Sequence, residues 1–203
     1  MSSRPLDGSA DIQQALRRVG ELLDAAGQPY AVVIVGGAAL NLLGIVSRVT
    51  RDVDILAFAR RRGARQWRLE PAPNPIPEPL AGAIRTVASD MGLAENWLNT
   101  GPAGQWKQRF PRGLLARVEW RRYSALRVGI VSRPDLIRFK VYAAADGHPG
   151  DRHVRDLDAL DPTEAELRAA ARWVKTQDAG PGFPALVDQV VEHIRARRGL
   201  HGK

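Results

Sequence analysis

The sequence predicts an α+β fold, in which a small mixed β-sheet carries helices and further helices follow at the carboxyl-terminal end. Three segments predict the sheet. Residues 31–58 have the pattern of a strand, a Gly-Gly turn, a short helix and a second strand, and residues 114–123 and 126–131 add two more strands. Beyond these segments the apolar residues recur at helical spacing. We therefore expect an α+β fold that combines a small mixed sheet with helices.

The amino-terminal part predicts one scaffold helix. Residues 1–9 are mostly polar, and we expect them to be frayed. Residues 11–26 form an amphipathic pattern, because their apolar side chains recur on one helix face. Gly27 follows in the position where glycine commonly terminates a helix. This helix should pack on the sheet.

A glycine pair follows the first strong strand pattern. Residues 32–35 are all apolar, as in a strand that is covered on both faces. Gly36 and Gly37 come next, and residues 38–44 have the pattern of a short helix. Glycines let the backbone approach a ligand closely, and free N–H groups at a helix start favour phosphate. The alternative interpretation is a tight turn without a ligand.

Two aspartates open the second strand of this unit. Asp52 and Asp54 are separated by Val53, and alternate residues of a strand share one face. Their Cα atoms would lie roughly 6–7 Å apart. A divalent cation would relieve the repulsion between them, and carboxylates suit Mg²⁺ or Mn²⁺. The alternative is a strand start with solvated aspartates, one of them paired with Arg48 or Arg51.

The next segment is irregular. Residues 60–65 include four arginines, which either contact phosphates or form a solvated turn, and we favour the turn. Residues 71–79 are rich in proline and should be extended. Residues 80–91 have a helical pattern, and residues 94–99 suggest a second short helix.

Three polar residues in the remaining chain stand out. Glu119 lies in the strand of residues 114–123 among arginines, and a salt bridge is its simplest role. Ser132 is placed to cap a helix. Lys140 falls on the apolar stripe of that helix, where a lysine either reaches the edge or contacts an anion. Asp156, which borders the apolar face of the next helix, could pair with Lys140.

Two further helices end the chain. Asp161 is predicted as the N-cap of a helix that runs to about residue 175, and residues 183–197 form the last helix. The domain prediction is a core of residues 1–160, with residues 161–203 as a helical segment packed on it.

Composition limits the function classes. The chain has 203 residues, a net charge of +8, 44% hydrophobic residues and no cysteine. No apolar run reaches the roughly 20 residues of a membrane span, and no secretion signal is evident, so we expect a cytoplasmic protein without membrane contact. The charge favours a polyanion such as RNA or DNA. The alternative is compositional bias, because only four of the thirty basic residues are lysine.

One resemblance connects these motifs. The segment Gly36-Gly37-Ala38, a helix, and then residues 50–55 (TRDVDI) resembles the signature of the nucleotidyltransferase (DNA polymerase β-like) superfamily. The closer likeness is to minimal bacterial members, including AbiEii-type toxins of toxin–antitoxin systems. Residues 135–140 and 155–160 extend the likeness. Ala38 departs from the pattern, because this position often carries a hydroxyl in the family.

The resemblance implies a nucleotidyltransferase-like core and a Mg²⁺- or Mn²⁺-dependent enzyme. It would transfer a nucleoside monophosphate from an NTP to an RNA such as tRNA, or to a protein, and it could be a toxin with a cognate antitoxin protein. The catalytic carboxylates that the resemblance implies are Asp52, Asp54 and Glu119, and Asp52 and Asp54 would also bind the metal. The implied nucleotide contacts are Gly36, Gly37, Lys140 and Asp156.

Two alternatives remain open. The chain could be a catalytically inactive nucleotidyltransferase-like protein that binds nucleotide or RNA, an interpretation that Ala38 favours. It could also be a basic nucleic-acid-binding module in which the aspartates are structural.

Overall fold

The computed structural model describes residues 3–62, 66–104, 110–147 and 151–199. Within these residues the chain forms eight α-helices and eight strands, most of them in one mixed sheet, which confirms the α+β class. The chain divides into two compact units. The first comprises Met1–Lys107 and Gly113–Val131, and the second comprises Gln108–Arg112 and Ser132–Lys203.

The first unit contains all the strands. Its elements in chain order are β1 (Leu6–Asp7), α1 (Gly8–Ala25), β2 (Tyr30–Val35), α2 (Gly36–Leu42), β3 (Val49–Thr50), β4 (Val53–Arg62), β5 (Gln66–Pro71), α3 (Glu78–Met91), β6 (Leu98–Asn99), a 3₁₀ turn (Gly101–Gly104), α4 (Leu114–Arg117), β7 (Glu119–Tyr123) and β8 (Leu126–Ile130). The second unit is helical in its described part, with α5 (Arg133–Asp146), α6 (Asp151–Leu160), α7 (Glu164–Val174) and α8 (Phe183–Arg197).

The main sheet has the order β5-β4-β2-β8-β7, and β6 pairs with the start of β4. The strands β2 and β8 run parallel, as do β4 and β6, whereas the other neighbours are antiparallel. The last four residues of β2 are buried, as expected for the central strand. The small strands β1 and β3 form a separate antiparallel pair.

The helix α1 packs on the sheet through its apolar face. A Cβ at Gly20 would lie only 1.8 Å from the Tyr123 carbonyl oxygen, so helix and strand backbones are in direct contact there. The expectation that residues 1–9 are frayed is wrong for Leu6, which is fully buried in β1. Its pairing with Thr50 gives this short segment a partner that the sequence did not reveal.

Three predicted elements differ from those observed. The segment with Arg60 and Arg61 is not a turn but the end of β4, paired with β5; residues 63–65 lie outside the described part. Residues 94–99 form a turn and β6 instead of a helix, because the indole of the buried Trp97 donates to the Ile84 carbonyl. The strand predicted from residue 114 begins at Glu119, since the preceding residues form α4.

In the second unit, α6, α7 and α8 all pack against α5. Ser132 occupies the N-cap position of α5 as predicted, but its hydroxyl donates to the Asp135 carboxylate at 3.0 Å and caps no backbone N–H. The helix α8 spans residues 183–197, as predicted. The predicted N-cap of α7 is wrong: Thr163, not Asp161, caps it, through a reciprocal pair of hydrogen bonds with Glu166. The two compact units meet along the chain between Val131 and Ser132. The predicted boundary after residue 160 stays a prediction.

No helix in the described ranges is both long enough and apolar enough to cross a lipid bilayer.

Candidate metal and phosphate site

The glycine pair and the second aspartate meet at the end of β2. Gly36 follows β2 directly and has a φ of +81°, which favours glycine strongly. Val35 pairs in register with Asp54 of the neighbouring strand β4. A Cβ added at Gly36 would lie 2.5 Å from Oδ2 of Asp54. The Asp54 carboxylate therefore occupies the space that any other side chain at residue 36 would need.

Polar contacts hold this corner in place. The buried Asn41 donates from Nδ2 to the Gly37 carbonyl at 3.1 Å, and its Oδ1 accepts the backbone N–H of Arg48 at 3.0 Å. A Cβ at Gly37 would lie 3.3 Å from Oγ1 of Thr50 and 3.8 Å from Nη2 of Arg48. A guanidinium group thus lies close to the glycine pair. Both glycines are buried beneath these neighbours.

The start of β4 is fixed from its other side. The backbone N–H of Val53 donates to the Trp97 carbonyl at 2.6 Å, and Asp54 pairs in register with Asn99 of β6. Asp52 precedes the first residue of β4, and its carbonyl accepts the Thr50 hydroxyl at 3.2 Å. Because Asp52 lies outside the strand, strand alternation fixes the sheet face of the Asp54 side chain only. That the two carboxylates share one face stays a prediction. Asp52 and Asp54 are each partly exposed to solvent.

The donor set suits a hard divalent cation. Searched over the described ranges, the chain has no group of three or more histidine, cysteine, aspartate or glutamate side chains placed to hold a metal ion. Mg²⁺ is commonly bound through one or two carboxylates, with water and substrate phosphates as the remaining ligands. Asp52 and Asp54 could supply those two carboxylates. The Asp54 carboxylate lies against the space that a Cβ at Gly36 would fill. The residues present are compatible with Mg²⁺ or Mn²⁺.

Glu119 lies elsewhere on the sheet. It is on β7, and β2 and β8 separate that strand from β4. Three strand spacings amount to about 14 Å. Its carboxylate forms an ion pair with Arg121 at 2.7 Å, two residues along the same strand. Glu119 therefore does not lie on a strand beside the aspartates, and its role as a third carboxylate stays a prediction.

Lys140 and Asp156 belong to the second unit and contact each other. The Lys140 Nζ lies 2.6 Å from Oδ2 of Asp156, and the two side chains are 5% and 1% exposed. The aspartate is the anion that a lysine on an apolar stripe requires. Their proposed contacts with nucleotide stay predictions, and the position of Lys140 no longer argues for a phosphate.

Several residues of the corner were not singled out as site residues from the sequence. They are polar groups that line or brace Gly36, Gly37 and Asp54: Asn41, Arg48, Thr50 and Asn99. Asn41 gave a usable signal, because it is a polar residue inside the apolar run of α2. Asn99 gave none, since its pairing with Asp54 depends on the sheet.

The comparisons with known proteins add no relative: no family model, no curated protein and no solved structure matches the chain.

Proposed function

We propose that this protein is a metal-dependent nucleotidyltransferase whose site lies at the corner of β2 and α2. The observation that supports it best is the contact between Gly36 and Asp54, which the pairing of β2 with β4 brings together. A Cβ at Gly36 would lie 2.5 Å from the carboxylate. A glycine turn that meets a strand-borne carboxylate is the juxtaposition that the sequence resemblance requires.

The proposed reaction joins an acceptor oxygen to the α-phosphorus of an NTP. The bond from that phosphorus to the oxygen bridging to the β-phosphate breaks, and pyrophosphate leaves. Mg²⁺ or Mn²⁺ held by Asp52 and Asp54 would supply neutralisation of phosphate charge and activation of the acceptor oxygen. Gly36 and Gly37 would let the triphosphate approach the backbone, and Arg48 would add positive charge beside it.

The acceptor and the cellular context are proposed from the resemblance and the charge. RNA such as tRNA, or a protein, would accept the nucleotide, and a net charge of +8 supports a polyanionic partner. A toxin role with a cognate antitoxin protein, and a location in the cytoplasm, belong to the same proposal. These steps rest on family analogy rather than on site geometry.

A label-transfer assay tests the proposal. The purified chain is incubated with each α-³²P-labelled NTP, Mg²⁺, and total tRNA or a cell lysate. We expect label in a macromolecular product for at least one NTP, and no label when EDTA removes the metal. Absence of labelled product with all four nucleotides and both acceptor pools would contradict catalytic transfer.

A second candidate function is binding of nucleotide or RNA without turnover. The observation that favours it is the separation of Glu119 from β4, together with its ion pair to Arg121. This alternative predicts metal-dependent NTP binding, measured by calorimetry, in a protein that gives no labelled product. Binding and turnover together would exclude it.

A further inference from the structure

A basic groove lies at the opposite end of β2 from the glycine corner. One cavity there has a volume of about 540 Å³, and an adjoining one of about 550 Å³ shares Tyr30, Ala59 and Arg60 with it. Tyr30 starts β2 and Val35 ends it, so the groove and the corner are separated by roughly 17 Å along the strand. The two cavities and the corner all belong to the first unit.

Two arginine side chains lie over the ring of Trp67, which lines this groove. The Cζ atoms of Arg61 and Arg127 lie 5.8 Å and 5.3 Å from the ring centroid of Trp67. The Trp67 ring in turn stacks on Trp120, with centroids 5.2 Å apart and planes at 25°. Trp67 is directly opposite Arg61 in the β4–β5 pairing. Trp67 therefore contacts two guanidinium groups and one indole ring.

Small residues make room for this stack. Ala31 and Ala59 line the first cavity, and a Cβ at Gly129 would lie 3.0 Å from the Trp120 ring. The ring therefore lies against the backbone of β8 at that residue. Tyr30 and Phe58 line the second cavity and contact each other edge to face, with centroids 6.2 Å apart. The linings of the two cavities therefore include three partly exposed aromatic side chains, Tyr30, Phe58 and Trp67.

The groove carries excess positive charge. Four arginines and one aspartate line the first cavity: Arg60, Arg61, Arg122, Arg127 and Asp24. In the hairpin, Arg60 stands directly opposite Arg68, and like charges in such pairs destabilise a sheet. Glu70 forms an ion pair with Arg60 at 3.1 Å. A polyanion would relieve the remaining repulsion.

We propose that this groove binds a single strand of nucleic acid. Arginines provide charge-assisted contacts with successive phosphates, and guanidinium planes and aromatic rings both stack with bases. A polyanion without bases would pair with the arginine charges and would not stack on the guanidinium groups and aromatic rings. In a duplex the base faces are already stacked on one another, so they could not stack on these groups. Binding at this groove needs neither Mg²⁺ nor the aspartates of the glycine corner, so it does not depend on nucleotidyl transfer.

Fluorescence anisotropy with labelled oligouridylate and oligodeoxythymidylate, each about a dozen nucleotides long, tests the groove. The double variant Arg61→Ala/Arg127→Ala should lose at least tenfold in affinity for these strands. Its slope of log affinity against log salt should become shallower by about 1 to 2, since about 0.7 counterions are released for each phosphate contact. Circular dichroism and thermal unfolding establish that each variant is folded.

Two further variants separate this interpretation from simpler ones. Arg61→Lys/Arg127→Lys keeps the two positive charges and removes the planar guanidinium groups. It should therefore weaken oligonucleotide binding several-fold while leaving heparin binding unchanged. Arg17→Ala/Arg18→Ala removes two exposed charges on α1, outside the groove, and should have little effect. The proposal is overturned if the groove and α1 variants lose the same affinity, or if heparin or a duplex of equal length binds as well as the single strands. Tight binding of oligouridylate alone supports the proposal and assigns ribose as the preferred sugar. Tight binding of both strands supports the proposal and shows that the groove does not discriminate between the sugars.

Discussion

At the scale of single residues, Gly36 carries two constraints at once. Its φ of +81° disfavours any L side chain, and Asp54 occupies the position of a Cβ. Gly36→Ala should therefore lower the free energy of unfolding by more than the roughly 1–2 kcal/mol expected from backbone strain alone. Urea unfolding measures this difference.

Gly27 offers a matched control for that substitution. Its φ is +65°, and an added Cβ would meet no atom within 4 Å. Gly27→Ala should show backbone strain only. Combining Gly36→Ala with Asp54→Ala should recover the excess loss, because the clashing carboxylate is gone. Equal losses for Gly27→Ala and Gly36→Ala would mean that Asp54 does not press against the corner.

The buried pair of Lys140 and Asp156 makes a second prediction at this scale. Lys140→Met removes the ammonium group that lies 2.6 Å from the Asp156 carboxylate inside the second unit, which should cost about 3–5 kcal/mol. The double variant Lys140→Met/Asp156→Leu removes both charges and should recover most of that loss in urea unfolding. A double variant as unstable as Lys140→Met would show that the ion pair is not the main role of these residues.

At the scale of elements, the start of α7 is fixed by Thr163. The Glu166 backbone N–H donates to its Oγ1 at 3.2 Å, and the Thr163 N–H donates to the Glu166 carboxylate at 2.8 Å. Thr163→Ala should reduce stability by about 1 kcal/mol, whereas Thr163→Ser should keep the cap. Thermal unfolding of both variants checks the assignment, and equal melting temperatures would contradict it.

The contact between α7 and α8 should depend on pH. Hydrogen bonds from Arg195 hold the pKa of the Glu164 carboxyl below its ordinary value of 4.5, and one of them is 2.9 Å long. A lowered pKa in the folded state stabilises the fold above the unfolded-state pKa. That contribution is lost as the pH falls below about 4.5 and through the folded-state pKa. Glu164→Gln should therefore be less stable than wild type at pH 7, and the difference should shrink in acid. A difference that stays constant down to acidic pH would contradict this linkage.

Elements with a strong helical period were predictable, and those that depend on distant contacts were not. The span of α8 and the N-cap position of Ser132 in α5 are local signals, and both were confirmed. The strand β6 forms because the buried Trp97 fixes the preceding turn and its carbonyl binds Val53. The sequence of residues 94–99 contains no local signal that predicts pairing with the start of β4.

At the scale of the whole molecule, strand order decided which site residues could meet. The glycine turn and Asp54 lie on adjacent strands, so the corner could be predicted from one short segment. Glu119 follows in the next strongly predicted strand of the sequence, yet β7 joins the opposite edge of the sheet. The order of strands is set by tertiary pairing, and periodicity does not reveal it.

The proposed chemistry is tested most directly by the rate of Mg²⁺-dependent label transfer in matched carboxylate variants. Asp54→Asn keeps the size of the side chain at the glycine corner and removes its charge, and Asp90→Asn makes the same change at an exposed position on α3. We predict that Asp54→Asn loses at least about a hundredfold in rate while remaining folded, and that Asp90→Asn transfers label like the wild type. A folded Asp54→Asn protein that transfers label as fast as Asp90→Asn would contradict the assignment.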